Sequence, residues 1–215
     1  TTDEHCKVNI HYKDLGQVHI CLGTKGMSIT DPRRYAFSLM NTILGGNMSS
    51  RLFQEVREKR GLAYSVFSYA SSFVDTGMFG AYAGVSPKNM QQSIQLILKE
   101  ISKIRKIRVD SNELRYAKEF TKGNLMIASE SNDNQMVRMA QNETHFGRYI
   151  PLEEIANNIE SVTRDHILDL AETLAEDGFS LRPQVGARPA SILMTLDGTI
   201  NPMRQFPSYR EIMHL

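Results

Sequence analysis

The hydrophobic positions along this chain change period as it proceeds. Val8, Ile10 and Tyr12, and again Val18, Ile20 and Leu22, recur at every second position, the two-residue period of strands, so Val8 to Cys21 is expected to be β structure. After a turn-rich stretch over 23–30, Asp31-Pro32 predicts a helix start, with Asp31 as N-cap and Pro32 in the first turn. Tyr35, Phe37, Leu39, Met40, Ile43 and Leu44 form the buried stripe of that helix, and Gly45-Gly46 stop it. Ser49 or Ser50 caps a second helix carrying Leu52, Phe53 and Val56, which Gly61 ends. Two strand-like stretches follow, Tyr64 to Phe73 and Met78 to Val85, and the polar connection ending in Gly77 between them predicts a hairpin.

From Pro87 the period becomes helical. Met90, Ile94, Ile97, Ile101 and Ile104 make one stripe of a long amphipathic helix, with Lys and Arg gathered at its C-terminal end. Asp110 with Glu113 reads as a capping box opening a helical region to about Gln141, within which Gly123 leaves room for a break. Glu153 to Ile159 and Thr163 to Leu174 are two further helices, and Ser191 to Leu196 is a candidate closing strand. The succession predicts an α+β fold: a ferredoxin-like layered sandwich, its sheet mostly antiparallel, with helices packed on one face.

Composition narrows the function classes. Lys and Arg number 25 against 24 Asp and Glu, a net charge of +1, which argues against a broad polyanion-binding face and so against nucleic acid. With 41% hydrophobic and 23% charged residues, the chain can bury a sizeable core in its 215 residues. Its most apolar stretch, 94–107, is interrupted by Lys99, Lys103 and Arg105, so no membrane insertion is expected. The polar start Thr1-Thr2-Asp3-Glu4, without an initiator Met, suggests a mature product or a piece of a longer chain. Cys6 and Cys21 are too few for a disulfide framework, which suits a reducing compartment: the cytoplasm, or an organelle matrix if a presequence was removed.

The search for chemistry is mostly negative. The six histidines, His5, His11, His19, His145, His166 and His214, form neither H-E-x-x-H nor H-x-x-E-H. His11 and His166 each have an Asp three residues on, but Leu15 and Leu170 stand where a second histidine ligand belongs. Gly45-Gly46-Asn47-Met48-Ser49-Ser50 lacks the Gly-Lys-Ser/Thr of a phosphate loop and reads first as an inter-helix turn. One segment differs: Leu52 to Val66 is a helix ending at a glycine, then a tyrosine entering a strand. Composition alone reads Arg57 and Tyr64 as surface residues; converging on one wall, they would offer a forked cation and a phenolic hydroxyl to a carbonyl or carboxylate.

The run Leu44-Gly45-Gly46-Asn47-Met48-Ser49-Ser50-Arg51-Leu52-Phe53, continuing through Arg57 and Tyr64, resembles the C-terminal, non-zinc-binding half of the pitrilysin and mitochondrial processing peptidase family of zinc metallopeptidases. The likeness extends through Asp75-Thr76-Gly77, Ala117-Lys118, Phe146 to Glu154 and Ile159 to Thr163, covering roughly residues 15–178. It implies two homologous halves enclosing a chamber. The other half would carry zinc and the general base and bind an extended peptide; this half would bind no metal itself. By motif, Arg57 and Tyr64 would orient substrate, Tyr64 donating to the scissile carbonyl oxygen, and Gly45 and Gly46 would match the start of a substrate-contacting glycine-rich loop. The resemblance thus implies a metalloendopeptidase half that is inactive alone; the alternative is a non-proteolytic structural or assembly subunit of the same fold. The expected division is one domain over 1–180, followed by an atypical segment, 181–215, holding a closing strand and a tail.

Overall fold

The computed structural model describes residues 16–176, 182–187 and 190–193. Strands β1 (Val18–Lys25), β2 (Ala63–Ser72), β3 (Gly77–Val85), β4 (Arg182–Ala187) and β5 (Ala190–Leu193) form one sheet in the order β2-β3-β1-β4-β5, every pairing antiparallel. Helices α1 (Arg34–Gly45), α2 (Met90–Lys106), α3 (Ser111–Ser129), α4 (Asn132–Phe146), α5 (Leu152–Ser161) and α6 (Arg164–Glu176) account for most of the rest. The architecture is the expected α+β sandwich: α1 lies against β2, α2 against β3 and β1, and α3, α5 and α6 pack on α1. The expected stretch Val8–Tyr12 and the tail beyond Leu193 lie outside the described residues.

Strand alternation sorts the sheet into two faces. Cross-strand rows Val66–Ala83–Ile20, Ser68–Ala81–Leu22 and Ala70–Phe79–Thr24 turn toward the helices. There Ile20, Ala83 and Val66 are buried with Phe37, Leu39, Ile43 and Leu44 of α1 and Ile94 and Ile97 of α2 in one core. Gly45 lets the end of α1 close on β2: a Cβ there would overlap the backbone of Ser68. The opposite face carries rows Ser65–Gly84–His19, Phe67–Tyr82–Cys21 and Tyr69–Gly80–Gly23.

Several local expectations are corrected. β1 continues through Gly23 to Lys25, because pairing with β3 as far as Met78 outweighs the turn propensity of Gly23. Asp31 caps a turn ahead of α1, its carboxylate accepting from the Arg33 backbone N–H at 2.8 Å, and α1 begins only at Arg34. The helical region after Asp110 breaks at Glu130-Ser131, where Ser131 caps α4, and not at Gly123, which lies inside α3. Asp110 does cap α3, through the Asn112 N–H, but Glu113 leaves the capping box to form a two-pronged ion pair with Arg51 at 2.7 and 2.6 Å. Thr163 caps α6 as expected: its hydroxyl accepts from the His166 N–H at 3.2 Å, while its own N–H donates to His166 Nδ1 at 3.3 Å. Residues 182–187, within the segment that departs from the family pattern, form β4 beside β1, and the closing strand β5 starts at Ala190.

Candidate functional site

The polypeptide between α1 and β2 carries two irregularities, and Arg57 and Tyr64 sit on them. Asn47 folds the loop after α1 by accepting from the Ser49 N–H through Oδ1 at 2.8 Å, so the turn is capped by Asn47 and the expected Ser49 or Ser50 cap is not formed. Ser50 is buried and donates its hydroxyl to the Asn47 carbonyl. The following turns are a π-helix over Phe53–Glu58, closed by the Lys59 N–H on the Gln54 carbonyl at 2.9 Å. Widened turns of this kind cost regular hydrogen bonding and cluster at functional sites. Gly61, at φ +59°, ends the helix as expected: the Leu62 N–H reaches the Val56 carbonyl and the Gly61 N–H the Arg57 carbonyl, with Val56 and Leu62 both buried beneath the turn.

The second irregularity is in β2. Ala63 pairs with Val85 and Ser65 with Gly84, so Tyr64 is the extra residue of a β-bulge. The bulge resets the alternation, and Ala63 and Val66, three residues apart, are both buried. Tyr64 is left 79% exposed, the most exposed aromatic ring among the described residues.

The π turn and the bulge together bring the two side chains to one ledge. The Arg57 guanidinium carbon lies 4.8 Å from the Phe53 ring centroid and 5.7 Å from that of Tyr64. The Glu58 carboxylate stands 4.0 Å from Arg57 Nε, beyond hydrogen-bond distance, and the Arg57 side chain is 42% exposed. Neighbouring charges are occupied with one another: Glu55 accepts from Lys59 Nζ at 2.5 Å and Arg60 Nη1 at 2.6 Å, and these bonds hold its carboxyl down to about 2. Arg57 therefore keeps its donors facing outward beside a phenol, a pair suited to gripping backbone carbonyls or a carboxylate. Arg51, at the head of the π segment, anchors the ledge to α3 through Glu113.

Gly45 and Gly46 are placed differently. Gly45 is buried against Ser68, and Gly46 is exposed just after it at the end of α1, where a Cβ would crowd Thr42. Both therefore have packing reasons to be glycine, and the ledge is built by Arg57 and Tyr64 without them. Among the described residues, no group of three or more His, Cys, Asp or Glu side chains is placed to hold a metal ion. Nor is any helix among them long and apolar enough to cross a membrane.

Sequence reasoning missed the rings beside the ledge. On the open sheet face, Tyr82 stacks on Phe67 with centroids 4.9 Å apart, Phe67 meets Tyr69 at 6.4 Å, and His19 Nδ1 and Tyr82 Oη share a 2.6 Å hydrogen bond. The alternation of Phe67 with Tyr69 and of Gly80, Tyr82 and Gly84 was the signal that could have found them.

Comparison with known proteins gives the family. Residues 1–120 match the model of the peptidase M16 inactive domain. The uncharacterized zinc protease YmxG of Bacillus subtilis is 40% identical over 169 residues, covering 79% of this chain and 41% of the relative. An uncharacterized zinc protease of Streptomyces coelicolor is 38% identical over 179 residues, covering 83% and 38%. The chain thus spans about two fifths of the length of these relatives. Among solved structures, a peptidase M16 inactive domain from Pseudomonas fluorescens superposes with a TM-score of 0.63 at 25% identity, over 73% of this chain and 38% of that one. The strands, the helix layer and the sequence matches lead to one assignment: the chain belongs to the peptidase M16 inactive-domain family, with relatives that are named zinc proteases.

Proposed function

We propose that this chain is the substrate-positioning half of a zinc metalloendopeptidase, completed by a homologous zinc-bearing half on the same parent chain or a separate subunit. The observation that carries this reading is the ledge itself: a π turn and a β-bulge, both departures from regular structure, hold the Arg57 guanidinium beside an exposed Tyr64 ring. Local irregularity that sets a half-exposed cation beside an exposed phenol supports a binding role. In this reading Arg57 anchors peptide carbonyls, and the Tyr64 hydroxyl donates to the carbonyl under attack, strengthening as negative charge develops there. Gly45 and Gly46 lie at the start of the loop that leads to the ledge and would contact substrate through Gly46 and its exposed successors. The metal and the general base belong to the partner half. Keeping the Arg57–Tyr64 pair favours this role over that of a purely structural subunit.

The test uses the complete protein containing both halves. Tyr64→Phe is expected to lower kcat for peptide hydrolysis about 10²- to 10³-fold, the usual effect of removing one such donor. Arg57→Ala should act mainly on KM. Undiminished cleavage by the Tyr64→Phe protein, or cleavage by this chain without its partner half, would overturn the assignment.

A further inference from the structure

We propose that the open sheet face beside Tyr64 is a side-chain subsite: a flat aromatic platform of Phe67 and Tyr82, bordered by Tyr69 and His19, that receives a large apolar or aromatic side chain of the bound peptide. This inference rests on the peptidase reading and adds a specificity to it.

The platform follows from strand register. Phe67 of β2 and Tyr82 of β3 are direct cross-strand partners, with Cys21 of β1 completing the row. Their rings stack at 4.9 Å with planes 28° apart. Stacked rings lie down on a sheet only where the adjacent rows are low, and β3 supplies this with Gly80 on one side and Gly84 on the other. The Tyr69 ring lies across Gly80, where a Cβ would collide with it, and the Tyr82 hydroxyl reaches over Gly84. The bond to His19 Nδ1 holds the Tyr82 ring, so the surface is formed before a ligand arrives. Phe67 remains 42% exposed on top.

The chemistry of the face selects its occupant. β1, β2 and β3 contain no Asp or Glu, and Lys25 at the end of β1 is their one Lys or Arg. An uncharged, ring-lined surface has no opposite charge to pair with a charged side chain and offers offset stacking to an aromatic one. Position then gives a register. The bulge sets Tyr64 next to Ser65, which lies on this same face, and Phe67 is three residues further along β2. At a strand rise of about 3.3 Å per residue, the platform is about 10 Å from the Tyr64 backbone. An extended peptide lying along β2 with its reacting carbonyl at Tyr64 therefore presents to the platform the side chain about three residues away.

The experiment uses the complete two-half protein and a peptide series identical except for Ala, Leu, Phe or Lys at one position, scanned from one to five residues either side of the cleaved bond. The expected result is a Phe-over-Ala preference in kcat/KM of about tenfold, the size of a good aromatic contact, confined to one position near the third. Phe67→Ala and Tyr82→Leu should each bring that ratio toward one, and Phe67→Leu should leave it intermediate. The ratio is internal to each variant, so loss of folded protein cancels, and far-UV circular dichroism confirms the fold. Tyr64→Phe should slow every peptide while keeping the ratio. A ratio unchanged in both Phe67→Ala and Tyr82→Leu, or a preference absent from the whole scan, overturns the subsite alone and leaves the face to be covered by protein. Failure of the unsubstituted protein to cleave any peptide overturns the peptidase reading and the subsite with it.

Discussion

The two faces of one sheet are built from the same strands by opposite rules. Toward the helices, neighbouring rows carry Ile20, Leu22, Val66, Ala81 and Ala83, aliphatic and closely covered. One residue away along each strand, the other face carries His19, Cys21, Phe67, Tyr69 and Tyr82, half-buried or exposed. Antiparallel sheets commonly place polar residues on their uncovered face. Here that face is aromatic instead, and the ledge of Arg57 and Tyr64 adjoins it. The contrast teaches that the covered face is occupied with stability, while the open face carries apolar area that stability does not use.

Adjacent residues of β1 give the sharpest way to break this contrast. Ile20→Ala, at a position with no exposure, should cost about 2–5 kcal/mol of unfolding free energy, whereas His19→Ala should cost about 1 kcal/mol, the loss of one hydrogen bond. Urea unfolding of both variants decides it, and equal losses would abolish the distinction between the faces. Next in size is Gly45→Ala. The new Cβ must displace Ser68 of β2 or the end of α1, for about 1–3 kcal/mol, read as a lowered Tm.

A smaller effect separates the ledge from both faces. Glu55 has its carboxyl lowered from 4.5 to about 2, by its hydrogen bonds from Lys59 and then Arg60. A lowered folded value means that the stabilisation is complete above pH 4.5 and is lost as pH falls toward 2. As a solvent-screened surface cluster it is worth under about 1 kcal/mol. Melting of the unsubstituted chain and of Glu55→Gln should therefore differ at pH 6 and converge at pH 2, and curves that stay parallel would remove the cluster from the account. The smallest effect tests the open face directly. Burial raises the Cys21 thiol above its ordinary value of 9.0, so in a Cys6→Ser background alkylation at pH 8 should be several-fold slower than that of an unstructured thiol. Labelling at the unstructured rate would show that the rings do not shelter it.

Much of the architecture was legible because periodicity reports burial. The stripe from Met90 to Ile104 became α2, Gly61 ended its helix, and the β2–β3 hairpin lies within a residue of its expected bounds. Errors arose where a local preference met a tertiary competitor. Glu113 had the spacing of a capping box, but Arg51, 62 residues away, claimed its carboxylate. Gly123 had the composition of a helix break, but α3 runs through it with Leu114 and Ala117 already buried. β4, with its Pro183, was not expected as a strand, because its evidence is a partner, β1, distant in sequence.

By itself, the sequence determined most of the elements, the family and the identity of the two residues most worth testing, since each is written in short-range spacing or motif order. Only the tertiary structure decided that Arg57 and Tyr64 share a ledge, because the π turn and the bulge that aim them are settled by how Val56, Leu62, Ala63 and Val66 enter the core. The same is true of the platform. Phe67 and Tyr82 alternate visibly along their own strands, but the register of the hairpin is what sets the two rings directly opposite each other.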